Sequence, residues 1–354
     1  MLSIDRLSAL PDEVICHILS FLSTKISVQT SILARRWRFL WAHVPNLDLD
    51  SKYFDSTMSF SSTINKVMLI RKEQSINTVS INCEDFYFDF DEYELETLIS
   101  SAIQCNVQNL YLDISNLFWL PQYEALPHLL SGCPVLEELK VHRIVGRDLD
   151  SCYISSPTLE RLSIDFPLVE SGHGRLKINA PRLGYISIYD CSYDQISLSP
   201  MPYLTEAHIH FHIYASEMES DIYVYSRAVL KFIDSFCKLK CLKLFGTSDE
   251  FLDLGLPGSY VRFSNLFRLE LTADWHFISK FLESANNLEV LVIINKVAKK
   301  LQNWIEPNKK RCACLLSSLK TVTVFEFGCT EQELNVVRYF LRNAQVLQKM
   351  EIYC

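Results

Sequence analysis

Apolar residues follow two rhythms along the chain. Near the start, Leu10, Val14, Ile15, Ile18, Leu19 and Leu22 recur every three or four positions, which gathers side chains on one face of an α-helix. Pro11 suits a first helical position, and Asp12 and Glu13 put negative charge beside the free N–H groups of the first turn. A second helical stripe follows at Leu33, Trp37, Leu40 and Trp41, with Arg35, Arg36 and Arg38 on the other faces. Between the two, Thr24 to Ser31 leaves room for one short helix. Three short helices in roughly forty residues bury too little to stand alone without a partner, metal or disulfide. The head is therefore expected to carry an apolar surplus that needs covering.

Further along, the rhythm changes to alternation. A motif L-x-x-L-x-[LIV] recurs at Val107/Leu110/Leu112, Leu136/Leu139/Val141, Leu159/Leu162/Ile164, Leu183/Ile186/Ile188, Leu239/Leu242/Leu244, Leu266/Leu269/Leu271, Leu288/Leu291/Ile293 and Leu319/Val322/Val324. Looser copies stand at Ile76/Val79/Ile81, Leu204/Ala207/Ile209 and Leu347/Met350/Ile352. The steps vary, from 21 residues between Leu183 and Leu204 to 35 between Leu204 and Leu239. The closing L-x-[LIV] predicts a short strand with one buried face, and stacked units predict a continuous apolar ladder. Several copies open on proline, as in Cys133-Pro134, Ser156-Pro157, Ala180-Pro181 and Ser199-Pro200, where a residue without an N–H does not interrupt the strand. Tyr214 to Val229 reads as an insertion leading into a helix with Val229, Phe232, Ile233 and Phe236. At the C-terminus, Thr330 and Glu333 have capping-box spacing, ahead of a stripe of Leu334, Val337, Phe340 and Leu341. That helix and a last strand within Gln345 to Tyr353 are expected to cap the repeats.

The head, from L-P-D-E-V-I-C-H-I-L-S-F-L through L-A-R-R-W-R-F-L-W to V-P-N-L-D-L, resembles the F-box of the large plant F-box family. The repeats from about residue 76 to 300 resemble the irregular leucine-rich repeats of that family, and the segment from Trp304 to the end resembles its FBD region. The resemblance implies an α/β chain with a three-helix F-box at 4–50, an irregular leucine-rich-repeat solenoid at 51–300 and an FBD-like cap at 301–354. The solenoid is a curved, mostly parallel sheet with helices or loops on its convex side. It also implies a non-catalytic substrate receptor of an SCF ubiquitin ligase, docked on a Skp-type adaptor and through it a cullin. Adaptor contact is expected at Leu10, Pro11, Ile15, Ile18, Leu19, Leu22, Val28, Leu33, Trp37 and Leu40, some of which must instead hold the head's own core. The alternative is an interaction scaffold whose head forms no active ligase. A third reading, a receptor gated by a small molecule, lacks an assembled basic pocket.

On the solenoid's concave side, residues alternating with the ladder are Tyr111, Asp113, Lys140, His142, Arg161, Asp165, Tyr185, Tyr189, His208, His210, Lys243, Phe245, Arg268 and Glu270. Tyr, His and Arg in such numbers suit a protein-binding surface, so the target is expected there.

Composition narrows the rest. With 42 acidic and 34 basic residues, the net charge of −8 disfavours a general nucleic-acid binder. The longest apolar runs, such as Val290 to Ile294, are too short to span a bilayer. The twelve cysteines are scattered, and neither a signal-peptide pattern nor an Asn-x-Ser/Thr site is present, which fits reduced thiols in the cytoplasm or nucleus. Nucleophile-elbow, phosphate-loop and H-E-x-x-H motifs are all missing, so no enzyme activity is expected. His208, His210 and His212 share one strand face, but alternate residues lie about 7 Å apart, too far for His208 and His212 to share an ion. Cys237 and Cys241, and Cys312 and Cys314, lack a second ligand pair. Neither metal nor cofactor is therefore expected. Lys299, Lys300, Lys309, Lys310 and Arg311 read as solvated surface.

Overall fold

The computed structural model describes residues 7–54, 57–71, 76–83, 106–113, 130–142, 151–165, 175–189, 195–211, 238–246, 263–272, 275–295 and 312–354. Two compact units result, Met1–Asp148 with Tyr153–Pro167, and Leu149–Cys152 with Leu168–Cys354.

The first unit opens with helices α1 (Asp12–Leu19) and α2 (Thr24–Gln29) and 3-10 turns at Thr30–Ile32 and Arg35–His43. Pro11 stands one residue ahead of the helix, with ψ 151°, and the acidic first turn begins at Asp12. The second stripe differs from expectation at Leu33. The backbone is extended at Ala34, with φ −157° and ψ 154°, which breaks the helix between Leu33 and Trp37. Trp37, Leu40, Trp41 and Ala42 turn inward without Leu33, as the tighter three-residue repeat of a 3-10 helix allows.

The chain then runs directly into strand β1 (Asn46–Asp50), followed by helix α3 (Thr57–Ile70) and strands β2 (Thr78–Asn82), β3 (Asn109–Asp113), β4 (Glu138–His142), β5 (Ser151–Ser155) and β6 (Arg161–Asp165). β1, β2, β3, β4 and β6 pair in that order, all parallel. Their inner faces align in register, Leu110 beside Leu139 and Leu139 beside Leu162, and all three leucines are buried.

The second unit carries β7 (Arg175–Asn179), β8 (Tyr185–Tyr189), β9 (Gln195–Leu198), β10 (Glu206–Phe211), β11 (Cys241–Gly246), β12 (Arg268–Leu271), helix α4 (Trp275–Ser284), β13 (Val290–Ile294), helix α5 (Ala313–Ser317), β14 (Thr321–Phe325), helix α6 (Glu331–Asn343) and β15 (Lys349–Ile352). β8 and β10 to β15 form a second parallel run, while β7 pairs with β9. Each anchor of the motif packs beneath its strand, and the residue after it extends a backbone spine. The N–H of Lys240 donates to the carbonyl of Thr205 at 2.9 Å, that of Phe267 to Lys240 at 2.9 Å, that of Glu289 to Phe267 at 2.9 Å, that of Lys320 to Glu289 at 2.9 Å and that of Gln348 to Lys320 at 2.8 Å. The first unit repeats the pattern from Asn77 through Gln108 and Glu137 to Glu160. The backbone groups along these two spines are thus paired whatever the repeat's length, so irregular steps do not disturb them.

All the named motif copies end on strands of these sheets. β1 was hidden inside the boundary assigned to the head, yet Val44, Leu47 and Leu49 obey the same motif and are buried. The proline-led turns also form, with Leu136 N–H donating to Cys133, Leu183 to Ala180 and Leu204 to Met201, at 3.1 to 3.2 Å. The C-terminal segment continues the ladder: β14 and β15 add two parallel rungs, and α6 is the crossover between them. The capping box forms, Thr330 Oγ1 accepting from Glu333 N–H at 3.3 Å and Glu333 Oε2 accepting from Thr330 N–H at 2.7 Å. The stripe on α6 is rotated from the expected one. Val336, Tyr339, Phe340 and Asn343 are buried and Leu341 faces solvent, because the box turns Glu333 inward and fixes the helix's rotation. The insertion helix near Val229, His212 and the basic residues from Lys299 to Arg311 lie outside the described residues. Among the described residues, no helix is long and apolar enough to cross a membrane.

Candidate functional site

Two surfaces stand out. The first is the head. Ile15, Leu19, Trp37, Leu40 and Val44 form its buried cluster, with Leu10, Cys16 and Ala34 packed around it. Polar links hold the 3-10 segment against α1. Arg36 pairs with Asp12 at 2.6 Å, and Trp37 Nε1–H donates to Ser8 Oγ at 3.0 Å. Ser27 Oγ–H donates to the Leu19 carbonyl at 3.1 Å, tying α2 to the end of α1.

The ten residues expected at the adaptor therefore divide. Ile15, Leu19, Trp37 and Leu40 are the ones that hold the head's own core, the share of the ten that the sequence left undivided. Pro11, Ile18, Leu22, Val28 and Leu33 are exposed, and Leu10 is half-buried. The surface also includes Val14, which belongs to the helical stripe but not to the ten, and Phe21, Ile26, Ile32 and Phe39, which neither stripe contains; Ile32 is 87% exposed and Phe21 76%. Val14, Ile18, Phe21 and Leu22 form an exposed flank along α1 and the turn after it, beside Ile15 and Leu19. An apolar stripe wider than two core residues need was the available signal.

The second surface is the face of the strands opposite the ladder. In the first unit it is acidic and hydrogen-bonded. One register row runs through Asp50, Asn82, Asp113 and His142, and His142 Nδ1 pairs with Asp165 at 2.8 Å. Burial and then the neighbouring Asp50 charge push the Asp48 carboxyl up from its ordinary pKa. Tyr111 O–H donates to Glu138 at 3.1 Å, and Arg161 lies 3.8 Å from the same carboxylate.

In the second unit the corresponding face is aromatic. Tyr189 stacks on His210 with centroids 4.2 Å apart, and Phe245 follows at 6.5 Å from His210. Tyr185 meets the edge of His208 at 5.1 Å. Lys243 and Arg268 both bridge to Glu270, at 3.4 and 3.6 Å. Tyr185, Tyr189, His208, His210, Lys243, Phe245 and Arg268 thus gather on four neighbouring strands, while Tyr111, Asp113, His142, Arg161 and Asp165 occupy β3, β4 and β6.

Glu206 has no place in the sequence pattern, and Cys241 figures there only beside Cys237. With His208 they form a group whose donor atoms all lie within 4.8 Å of one another. Superposing Leu204/Ala207/Ile209 on Leu239/Leu242/Leu244 would have revealed it, since the same offset sets Glu206 beside Cys241. Most other described cysteines are packing residues: burial pushes the thiols of Cys83 and Cys152 up to about 12 and that of Cys314 up to about 11.

Comparison with known proteins matches the F-box domain family at residues 7–49 and the FBD family at residues 306–352. The F-box/FBD/LRR-repeat protein At3g52680 of Arabidopsis thaliana is 30% identical across 98% of this chain and 84% of its own length. F-box/LRR-repeat protein At4g14096 of the same plant is 25% identical, over 99% of this chain and 88% of its own. The putative FBD-associated F-box protein At5g53635, also from Arabidopsis thaliana, is 26% identical, over 98% and 94%.

Proposed function

The chain belongs to the plant F-box/LRR/FBD family, and from that premise we propose that it is a non-catalytic substrate-recognition subunit of an SCF ubiquitin ligase. The observation that carries the reading is the exposed apolar surface of the head, where Ile32, Leu33 and Phe21 stand in solvent above a small, complete core. Solvent-facing apolar residues concentrated in so small a region mark a docking site. A Skp-type adaptor is the partner that family membership supplies, with a cullin beyond it.

Catalysis would be by proximity. The head fixes one end of the receptor and the strand faces hold a target protein, raising the effective concentration of its lysines near the charged conjugating enzyme. The aromatic row of Tyr189, His210 and Phe245 supplies rigid contact area to the target, and the paired charges around Glu270 supply orientation. The protein would work in the cytoplasm, the nucleus or both.

Co-expression with a Skp-type adaptor and a cullin tests the assignment. A stoichiometric complex that supports ubiquitin-chain formation is expected. No adaptor complex from the folded wild-type chain would overturn it. An adaptor complex that never recruits a cullin would favour the scaffold reading.

A further inference from the structure

The geometry points to a zinc-binding site on the open face of the second unit, with Glu206, His208 and Cys241 as its protein ligands. β10 and β11 are parallel, with Glu206 opposite Cys241, and His208 lies two residues on from Glu206, on the same face. A carboxylate oxygen, an imidazole nitrogen and a thiol sulfur lie within 4.8 Å of one another, and all three residues are half-buried. Ligands held at about 2.0 to 2.3 Å from a tetrahedral zinc stand about 3.5 Å apart, so side-chain adjustments of about an ångström close the site. Hard cations such as magnesium and calcium want all-oxygen sets, whereas thiolate with imidazole selects a borderline d10 ion.

The surroundings of His208 fit this role. Glu206 can only accept, so Nε2, 2.8 Å from Oε1, carries the proton when no metal is bound, and Nδ1 accepts from Tyr185 O–H at 3.1 Å. A hydroxyl donates or accepts equally well. The proton can therefore move to Nδ1 and donate to Tyr185, freeing the Nε2 lone pair for a metal. Such a partner on the far nitrogen is what fixes a metal-bound imidazole. The nearest cations, Lys243 and Arg268, are both engaged by Glu270, so they do not stand uncompensated against an incoming ion. Zinc would displace the Cys241 thiol proton. Its fourth position opens onto the strand face, where water or a side chain of a bound protein can fill it. The site reverses the sequence-based expectation of no metal, and it rests on strand register, independently of the ligase assignment.

Cobalt(II) is the probe, because its thiolate complex is coloured and zinc displaces it. The reduced full chain should bind one Co2+ with a thiolate charge-transfer band that one equivalent of Zn2+ abolishes. Cys241→Ser and His208→Gln should remove that band, and Tyr185→Phe should weaken binding by about 10- to 100-fold. Cys354→Ser should leave it intact. Should Cys241→Ser fail to fold by circular dichroism, Glu206→Gln decides the question, since it keeps shape and loses a ligand. A wild-type chain without a cobalt-thiolate band, or a folded Cys241→Ser or Glu206→Gln chain that retains full affinity, overturns the site. Adaptor capture is unaffected by any of these outcomes.

Discussion

The two ends of the chain are both partly helical, and they treat their apolar residues in opposite ways. In the head, α1 and the turn after it send Ile15 and Leu19 into a small core and leave Val14, Ile18, Phe21 and Leu22 in water. At the C-terminus, α6 buries Val336, Tyr339 and Phe340 and exposes only Leu341 among its large apolar side chains. The difference lies in what each helix is given to cover. α6 crosses between two rungs of a long ladder and finds apolar surface waiting beneath it. The helices of the head cover mainly one another, with β1 bonded to the start of α2, and leave a surplus. A helix stripe thus reports a core in one setting and a docking surface in the other, and neighbouring elements decide which.

The contrast is open to disruption. Trp37→Ala and Phe340→Ala remove buried aromatic side chains from opposite ends, and each should destabilise its region by about 3 to 5 kcal/mol. Urea unfolding followed by hydrogen exchange in each region checks this. A small loss at Trp37 would mean that the head has no real core.

A smaller effect is expected at Glu333, which is 1% exposed and anchors α6. Burial alone would raise its pKa, but the N–H groups of Gly328 and Thr330, the Thr330 hydroxyl and the Asn295 amide hold the carboxyl below its ordinary value. Glu333→Ala should destabilise the C-terminal rungs by about 2 kcal/mol, from the lost cap and the donors left unpartnered. Because the folded pKa is depressed, the carboxylate's contribution is complete above the unfolded value of about 4.3 and disappears as pH falls through the folded one. The gap between wild type and Glu333→Gln should therefore narrow in acid; a gap that widens there would contradict the hydrogen-bond account.

The smallest effect sharpens the contrast most. Ile32→Ser and Leu341→Ser both alter exposed apolar side chains, and each should shift stability by no more than about 0.5 kcal/mol. Only Ile32→Ser should also weaken adaptor capture. Equal binding by the two variants would erase the functional distinction between the ends.

Much of this architecture could be read from spacing. Alternation in L-x-x-L-x-[LIV] marked strands because one buried face and one solvated face leave a period of two. The strands β5, β7 and β9 depart from the motif although Ile154, Leu176 and Ile178 are buried: β7 and β9 have His173 and Tyr193 at the anchor position, and β5 follows Leu149 but has Cys152 in place of the second leucine. The approach of side chains from successive repeats, such as Glu206 and Cys241, depends on register, which a single strand's pattern does not carry and only two superposed copies reveal. The division of the head's ten residues was likewise invisible. Ile15 and Ile18 look alike in sequence, and only the position of the Arg35–His43 segment determines which one it covers.

The most direct test of that division is a binding isotherm of the purified full chain with a Skp-type adaptor, read beside its melting temperature. Leu22→Asp/Leu33→Asp charges two exposed residues and leaves the core intact. If each acts as a contact of about 2 kcal/mol and the two add, binding should weaken on the order of 1,000-fold, with melting unchanged. A double variant that melts as wild type and binds the adaptor equally well would contradict the claim that the head's exposed apolar surface is its docking site.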